Sequence, residues 1–339
     1  MESPRLFIAM TAKAVFFCIK EVKTSVFNSL LATTKNILKS IRKNNMPELP
    51  EVETIKRQLL KEVIGKKIKE VEVKLPKLAF IDGKKGNAKN FKKSLEGAMI
   101  KKAGRAAKIL ILTLSNGYTL LIHLKMTGQL IYRSKNGETK RGGHPWPPNA
   151  VPVPNKWTHI IFKLSDGGKL YFNDLRQFGY MKLVRTEELG EQKEIKKLGP
   201  EPFDKNFTIE LFSQMLKKRG GAKIKPLLMD QSFVSGIGNI YADESLHFAG
   251  ILPIRPAGKI KSEEIKKIYS GIKTILKKSI AQGGTSSDTY VTLSGQKGGY
   301  EKYLKVYGRE GKKCRRCKET IKRVKLGGRS AHFCPRCQR

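Results

Sequence analysis

The residues best suited to covalent chemistry are Pro47 and Glu48, at the start of the run Met46–Glu53. As the first residue of a chain, Pro47 would present a secondary amine beside a carboxylic acid. These are the two groups needed for imine chemistry on a sugar aldehyde. Inside a chain the same nitrogen is an amide and has no nucleophilic lone pair. The sequence therefore predicts an activity that depends on a free Pro47.

Four cysteines near the C-terminus form two Cys-x-x-Cys pairs, Cys314 with Cys317 and Cys334 with Cys337, which sixteen residues separate. This spacing is typical of a four-thiolate zinc ribbon. So short a stretch buries little apolar core, so the metal would contribute to its folding. Four sulfur ligands leave no position for water, which makes the predicted zinc structural. A redox or disulfide pair is the alternative, and the duplication of the motif disfavours it.

The composition indicates a polyanionic partner. The 339 residues include 68 Lys and Arg against 29 Asp and Glu, a formal charge of +39. Nucleic acid is the leading candidate and an anionic membrane surface the second. A solvated, lysine-rich surface without a partner is the remaining alternative. Apolar runs fall short of the ~18–20 residues of a membrane span, so we expect a soluble protein.

Residues 1–45 differ from the rest of the chain. They carry eight basic and two acidic residues with many Ser and Thr, which overlaps with organelle targeting segments. They could equally be translated sequence upstream of a functional start at Met46. The pair Met46-Pro47 favours the second interpretation, because a small second residue permits removal of the initiator methionine. We expect residues 1–45 to lie outside the fold.

Hydrophobic periodicity predicts the elements that must position these groups. A helical spacing covers 52–64 and ends at Gly65. Short alternating runs follow, with hairpin-type turns at Asn116-Gly117 and Asp166-Gly167. The pattern indicates a mostly antiparallel sheet domain with one N-terminal helix; the runs are 68–73, 109–114, 119–124, 160–164 and 169–172. The Pro- and Gly-rich stretch 134–157 is predicted to be a surface loop.

Beyond about residue 183 the pattern becomes helical. Amphipathic spacing predicts helices at 207–219 and 262–282. Between them, a helix at 225–230, a Gly-x-Gly turn and a second helix starting near Asn239 are expected. Backbone N–H groups and the Asn239 amide at such a helix N-terminus would bind phosphate well. A plain turn between two helices fits the same residues.

With these pieces in order, the chain resembles the bacterial formamidopyrimidine-DNA glycosylase family over residues 47–339. The motifs that carry the resemblance are, in the family's order, Pro47–Glu53, His123–Gly128, Asp174–Gly179, Leu198–Pro202, Gly236–Glu244 and Gly328-Arg329 before the second cysteine pair.

The resemblance implies an α+β, multidomain fold. An extension (1–45) would precede an N-terminal β-sandwich with a helix, the catalytic domain (46–182). A helical, helix-two-turn-helix DNA-binding domain with a lesion loop (183–304) and a C-terminal zinc ribbon (305–339) would follow.

The resemblance also implies a catalytic set of Pro47, Glu48, Lys108 and Arg329. Pro47 would attack C1′ of a damaged nucleotide and form a Schiff base, and Glu48 would protonate the sugar ring oxygen. Lys108 and Arg329 would bind phosphates beside the lesion. For Glu51 a place in the same site and a surface-helix role both remain open.

The family's DNA-binding residues map onto further positions. Met126, Arg176 and Phe178 would fill the vacancy left by a flipped nucleotide. His123, Lys225 and Asn239 would bind phosphates, and 292–300 would be a loop over the flipped base. Three features depart from the family: Lys125 stands where glycine is usual, Gln177 where a second arginine is usual, and 134–157 is longer.

The function implied is excision of oxidised purines, such as 8-oxoguanine and formamidopyrimidines, followed by β,δ-elimination at the abasic site. The expected partner is damaged double-stranded DNA, with no membrane, one structural Zn2+, a monomeric state and a location in bacterial cytoplasm. An endonuclease VIII-like enzyme for oxidised pyrimidines is the related alternative. A non-catalytic zinc-ribbon DNA binder is the alternative if Pro47 stays internal.

Overall fold

The structure, a computed structural model, describes residues 46–81, 83–143, 151–286 and 297–339. The expectations for the extension 1–45 and for most of the loop 292–300 fall outside these ranges. So does Cys18, the cysteine outside the two pairs.

The first helix, α1 (Leu49–Val63), carries the Pro47–Glu53 motif into the core. Proline near its start and the Glu48 N–H, which donates to the Glu51 carboxylate at 3.0 Å, define where it begins. The chain leaves the helix through Gly65, whose φ of +80° is accessible to glycine without steric cost. The predicted helix 52–64 and its stop at Gly65 are confirmed.

Two sheets and two helices form the N-terminal part, whose second helix is α2 (Ala88–Leu95). The strand orders are β1-β9-β10-β7-β8 and β3-β2-β11-β6-β5-β4, and every pairing except β2 with β11 is antiparallel. The strands are β1 (Ile68–Val73), β2 (Ala79–Ile81), β3 (Lys84–Lys85), β4 (Ile100–Ala106), β5 (Ile109–Leu114), β6 (Tyr118–His123), β7 (Gly128–Arg133), β8 (Thr139–Gly143), β9 (Thr158–Leu164), β10 (Lys169–Asp174) and β11 (Tyr180–Arg185).

A single apolar cluster fills the space between the two sheets and α1. Leu110 and Leu112 of one sheet meet Ile160 and Phe162 of the other, with Ile55 of α1 among them. Alternation along the strands supplies these side chains, since every second residue points to the same face. The predicted mostly antiparallel domain with an N-terminal helix is confirmed as a β-sandwich.

The prediction of a surface loop at 134–157 is wrong in part. Residues 139–143 form β8, which pairs with β7, and Arg141, Gly142 and Gly143 are buried there. The sequence Thr-Lys-Arg-Gly-Gly has no apolar alternation, so periodicity could not reveal an edge strand held by backbone hydrogen bonds.

The helical part contains α3 (Lys193–Lys196), α4 (Ile209–Lys218), α5 (Ile224–Met229), α6 (Asn239–Ala249) and α7 (Ser262–Ala281). Tyr241 and Leu246 of α6 are buried against Ile268 and Ile272 of α7. The helices predicted from spacing, including the one starting near Asn239, are confirmed. Among the helices of the described ranges, none has the length and apolar character needed to cross a membrane.

The C-terminal part is a two-stranded hairpin of β12 (Lys322–Leu326) and β13 (Arg329–Phe333). Its apolar core is limited to Val306 and Ile321 beside the cysteines. So small a core is consistent with a fold that depends on a metal.

Candidate active site

The Glu48 carboxylate lies at the N-terminus of α6. It accepts hydrogen bonds from the backbone N–H groups of Gly238 (2.6 Å), Ile240 (2.9 Å) and Tyr241 (3.4 Å). The helix dipole and free N–H groups favour an anion there. The sequence led us to expect that these N–H groups bind a phosphate. That expectation is wrong, because they donate to the chain's own Glu48 carboxylate instead.

The two glycines before α6 let the Pro47 segment approach this closely. A Cβ on Gly238 would lie 2.5 Å from Glu48 Cδ, and one on Gly236 would lie 2.6 Å from Leu49 Cδ1. The Gly236 carbonyl also accepts a hydrogen bond from the Leu49 N–H at 3.0 Å. The Gly-x-Gly pattern thus creates the space in which Pro47 and Glu48 are buried.

Glu51 shares the buried site. Its carboxylate accepts hydrogen bonds from the Tyr241 hydroxyl (2.5 Å), the Thr285 N–H (2.7 Å) and the Glu48 N–H (3.0 Å). Burial and the nearby Glu48 charge raise the pKa of Glu51 to about 7. Of the two positions left open by the sequence, Glu51 has the interior one, at 2% exposure.

Glu48 and Lys108, two buried groups of opposite charge, lie in the same site and shift each other's pKa. Burial raises the pKa of Glu48, while the Lys108 charge and the helix N–H groups oppose the rise. Burial lowers the pKa of Lys108, against the attraction of Glu48 and Glu51. The Lys108 ammonium donates to the Ile237 carbonyl at 2.8 Å, just before α6.

A turn between β4 and β5 places Lys108. Ala107 there has a φ of +50°, and its N–H donates to Glu201 Oε1 at 2.6 Å. Glu201 also pairs with Arg105 at 2.7 Å. Glu201 lies in the motif Leu198–Pro202, but the sequence did not indicate a role for it or for Tyr241. The Glu201–Ala107 and Tyr241–Glu51 hydrogen bonds join residues far apart in the chain, so no local pattern reveals them.

His123 is held as a neutral imidazole. Burial, and then the Lys125 and Lys108 charges, lower the pKa of His123 to about 3. Its Nδ1 accepts the Lys125 N–H at 3.1 Å, so the ring proton resides on Nε2. The Nε2–H group of this neutral ring can therefore donate a hydrogen bond to an oxygen of a ligand.

The structure brings together the three residues expected to fill a vacated stack. The Arg176 guanidinium lies 4.8 Å from the centre of the Phe178 ring, and its Nη1 lies 3.2 Å from Met126 Sδ. Phe178 is 55% exposed, so its ring is available to contact a ligand. Asp174 joins the two loops that carry these residues, because it accepts hydrogen bonds from the Thr127 hydroxyl and from the Gly179 N–H.

The two residues named as departures from the family pattern, Lys125 and Gln177, adopt left-handed backbone conformations. Lys125 has a φ of +51° and Gln177 a φ of +56°. Glycine adopts such a conformation without strain, whereas residues with a Cβ do not.

Lys225 is turned inward. Its ammonium lies 2.7 Å from Asp243 Oδ1 and donates to the Ser330 carbonyl, and the side chain is 1% exposed. Asp243 also accepts from the N–H and ring of His332. Direct phosphate binding by Lys225, as expected from the resemblance, would require this buried pair to open.

Asn239 and Arg329 differ in how well they suit the phosphate-binding roles expected of them. Asn239 is the first residue of α6, and its Oδ1 is buried without a hydrogen-bond partner among the described residues. An amide oxygen accepts hydrogen bonds, so only the Nδ2 group of Asn239 could donate to a phosphate. Arg329 begins β13, is exposed, and acts electrostatically on Lys108, which is compatible with its expected role.

The described part of the expected lesion loop, 292–300, is fixed to residues that precede the loop in the chain. Thr285 pairs with Gly299, and the Gly298 N–H donates to Ser286 Oγ at 2.7 Å. Because Thr285 also donates to Glu51, this base of the loop is attached to the buried acid pair.

The four cysteines converge on one point. Their sulfur atoms lie within 4.8 Å of one another, at 3.9 Å for Cys314 with Cys337 and 3.4 Å for Cys317 with Cys334. A tetrahedral zinc with four thiolates at ~2.3 Å places its sulfurs about 3.8 Å apart. The donor set fits one structural zinc, which would hold the hairpin that carries Arg329.

Three family models match the chain in succession. They are the formamidopyrimidine-DNA glycosylase N-terminal domain over 46–181, its H2TH domain over 198–291, and a zinc finger found in FPG and IleRS over 311–339. The formamidopyrimidine-DNA glycosylase of Pelotomaculum thermopropionicum is 44% identical over 294 residues, which cover 87% of this chain and 99% of that protein.

Solved structures of Lactococcus lactis Fpg are also similar. One complex with abasic-site DNA has a TM-score of 0.75 and 35% identity, over 86% of this chain and 99% of that one. A complex with oxidised-pyrimidine DNA has a TM-score of 0.74 and 35% identity, over 86% and 100%.

Proposed function

The chain belongs to the formamidopyrimidine-DNA glycosylase family, and from this premise we propose that it is a base-excision-repair DNA glycosylase and AP lyase. Its substrates are oxidised purines, such as 8-oxoguanine and ring-opened formamidopyrimidines, in double-stranded DNA. The observation that carries the proposal is the buried Pro47-Glu48 step, with the Glu48 carboxyl at the N-terminus of α6 and Lys108 in the same site.

The proposed chemistry begins at the Pro47 nitrogen as a free secondary amine. It forms a bond to C1′ as the bond between C1′ and the base breaks, and the base leaves with that electron pair and takes up a proton. Amines at a chain terminus have a pKa near ~7.7–8, against ~10.4 for lysine. The neighbouring Lys108 cation, which sits within the same site, would lower that pKa further.

Glu48 is the proposed acid for the next step. Proton transfer from its carboxyl to the sugar ring oxygen opens the ring and leaves a positively charged imine between C1′ and Pro47. Burial supports this role, because the raised pKa of Glu48 retains the proton to higher pH than in water.

The imine then allows strand cleavage. It acidifies C2′, whose proton loss expels the 3′-phosphate, and subsequent loss of the C4′ proton expels the 5′-phosphate. We assign the binding of phosphates around the lesion to Lys108, His123, Asn239 and Arg329. Lys225 is assigned a supporting role, since it holds Asp243 and the Ser330 carbonyl of the hairpin.

We propose that Met126, Arg176 and Phe178 fill the space that the flipped nucleotide leaves in the duplex. These three residues contact one another and are partly exposed, and they combine an apolar wedge with a guanidinium that can donate to the unpaired base. We propose bacterial cytoplasm as the location, in keeping with bacterial relatives and a reducing environment for four thiolates.

The proposal is tested by product analysis with protein that starts at Pro47. Duplexes containing 8-oxoguanine opposite cytosine should be cleaved to ends that both carry phosphate, and faster than duplexes containing thymine glycol. The variant Glu48→Gln should bind the same DNA and lose on the order of 10²-fold or more in rate. Preference for thymine glycol would favour an endonuclease VIII-like enzyme, and binding without any product would favour a non-catalytic DNA binder.

A further inference from the structure

Lys125 occupies a conformation that disfavours its own residue type. It lies in the turn between β6 and β7, with a φ of +51°. The turn is tightly closed, because the Gly128 N–H donates to the Leu124 carbonyl at 2.8 Å. Any residue with a Cβ is strained in this backbone region, whereas glycine is not. The fold alone gives no reason for lysine here.

The Lys125 ammonium has no hydrogen-bond or ion-pair partner within the described part of the chain, although its side chain is only partly exposed. The carboxylate that attracts it, Glu194, is already paired with Lys182 at 2.9 Å. Its one described contact is with the Tyr180 ring, whose centre is 5.8 Å from Nζ. An unpaired, partly desolvated cation is a favourable site for an anion.

The surroundings of Lys125 indicate which kind of anion it would bind. Its backbone N–H holds His123 in the tautomer that exposes Nε2–H, and its charge acts on both His123 and Lys108. The next residue, Met126, contacts Arg176 in the partly exposed cluster with Phe178. Lys125 is therefore linked, by its contact with His123 and by its chain neighbour Met126, to the groups assigned to the lesion's phosphates and to those assigned to the vacated stack.

We propose that Lys125 binds a backbone phosphate of the lesion-bearing DNA strand, a contact that this chain gains where glycine would provide none. This rests on the proposed function and identifies one more residue of the same site. The phosphate contact compensates for the strain of a left-handed lysine.

Binding measured without catalysis tests the contact. The probe is a duplex containing tetrahydrofuran, an abasic analogue that cannot form an imine, and Kd is measured from 50 to 300 mM KCl with protein that starts at Pro47. Lys125→Gln should reduce the slope of log Kd against log salt by about one and weaken binding roughly fivefold. Lys125→Arg should keep the slope. Lys89→Gln, which removes an exposed lysine of α2, is the charge-matched control and should also keep it.

Thermal unfolding of Lys125→Gly separates binding from structure. Glycine should relieve the backbone strain and raise Tm by about 1–3 °C while it weakens DNA binding as Lys125→Gln does. An unchanged salt slope in Lys125→Gln, or the same loss in Lys89→Gln, would overturn the proposal. So would a lower Tm for Lys125→Gly with an unchanged slope, since Lys125 would then serve only the fold. A slope change in a protein without activity on lesions would contradict the proposed function and leave this contact standing.

Discussion

At the scale of single residues, burial decides which carboxyl groups can carry protons. Glu48 and Glu51 are both 2% exposed and near enough for one charge to oppose the other. The family resemblance supplied Pro47, Glu48 and Lys108 as candidates, but it could not show that the Glu48 carboxylate lies at a helix 190 residues further along the chain. Nor did it show Tyr241 beneath Glu51. Such contacts follow from tertiary packing, which local sequence does not encode.

The titration of Glu51 should be visible in stability. Its pKa is about 7 in the folded protein against 4.5 for an ordinary glutamate, so the folded state binds more protons than the unfolded state between these values. The free energy of unfolding therefore falls as pH rises through this window, by up to about 3 kcal/mol from this group. Glu51→Gln should flatten that dependence. Urea unfolding at pH 5 and pH 8 measures it.

The control for this experiment is Glu72→Gln, since Glu72 is half-exposed and pairs only weakly with Lys74 at 3.6 Å. It should retain the wild-type pH dependence. If Glu51→Gln shows the same fall between pH 5 and pH 8 as the wild type, then Glu51 does not titrate in this range.

At the scale of elements, α6 is the organising helix. Its N-terminus receives Glu48, its Asp243 pairs with Lys225, and its Glu244 accepts the N–H groups of residues 305–307. The sequence predicted this helix and the strands β1, β5, β6, β9 and β10, because their apolar spacing is strong. It missed the other strands of the sandwich and the short helix α2; the missed strands are β2, β3, β4, β7, β8 and β11. At β8 and α2, backbone pairing or a brief apolar face replaces clear periodicity.

Gly238 should tolerate no side chain. A Cβ would lie 2.5 Å from Glu48 Cδ, so Gly238→Ala must displace the carboxylate or the start of α6. We expect a loss of about 1–3 kcal/mol in the free energy of unfolding and at least a tenfold loss in excision rate. Gly221→Ala is the matched control, because nothing lies within 4 Å of its Cβ. Equal effects of the two substitutions would show that the close approach to Glu48 has no importance.

The zinc hairpin should depend on its metal. Elemental analysis should find one zinc per chain, and Cys334→Ser should lose it together with at least a tenfold loss in DNA affinity, because Arg329 is then no longer held. Cys18→Ser, outside the four-cysteine cluster, should keep both metal and affinity. Retention of full DNA affinity by metal-free Cys334→Ser would contradict a structural role for the zinc.

At the scale of the whole molecule, the described parts of residues 46–339 form one compact unit that contains the Pro47-Glu48 step. In the proposed site, the sandwich would contribute Lys108 and His123, the helical part the N-terminus of α6, and the hairpin Arg329. The full chain has a formal charge of +39 and the protein that starts at Pro47 one of +33, so DNA binding should be strong whether or not Pro47 is free. Affinity therefore cannot report on the proposed chemistry, which would depend on the covalent state of the Pro47 nitrogen.

Borohydride trapping tests this central claim most directly. Protein starting at Pro47 and the full chain of 339 residues are each mixed with duplex DNA containing 8-oxoguanine and reduced, and the cross-linked peptide is identified by mass spectrometry. We predict an adduct on Pro47 from the first protein, and from the full chain DNA binding without an adduct. No adduct from protein with free Pro47, or an equal yield from the full chain, would contradict the account.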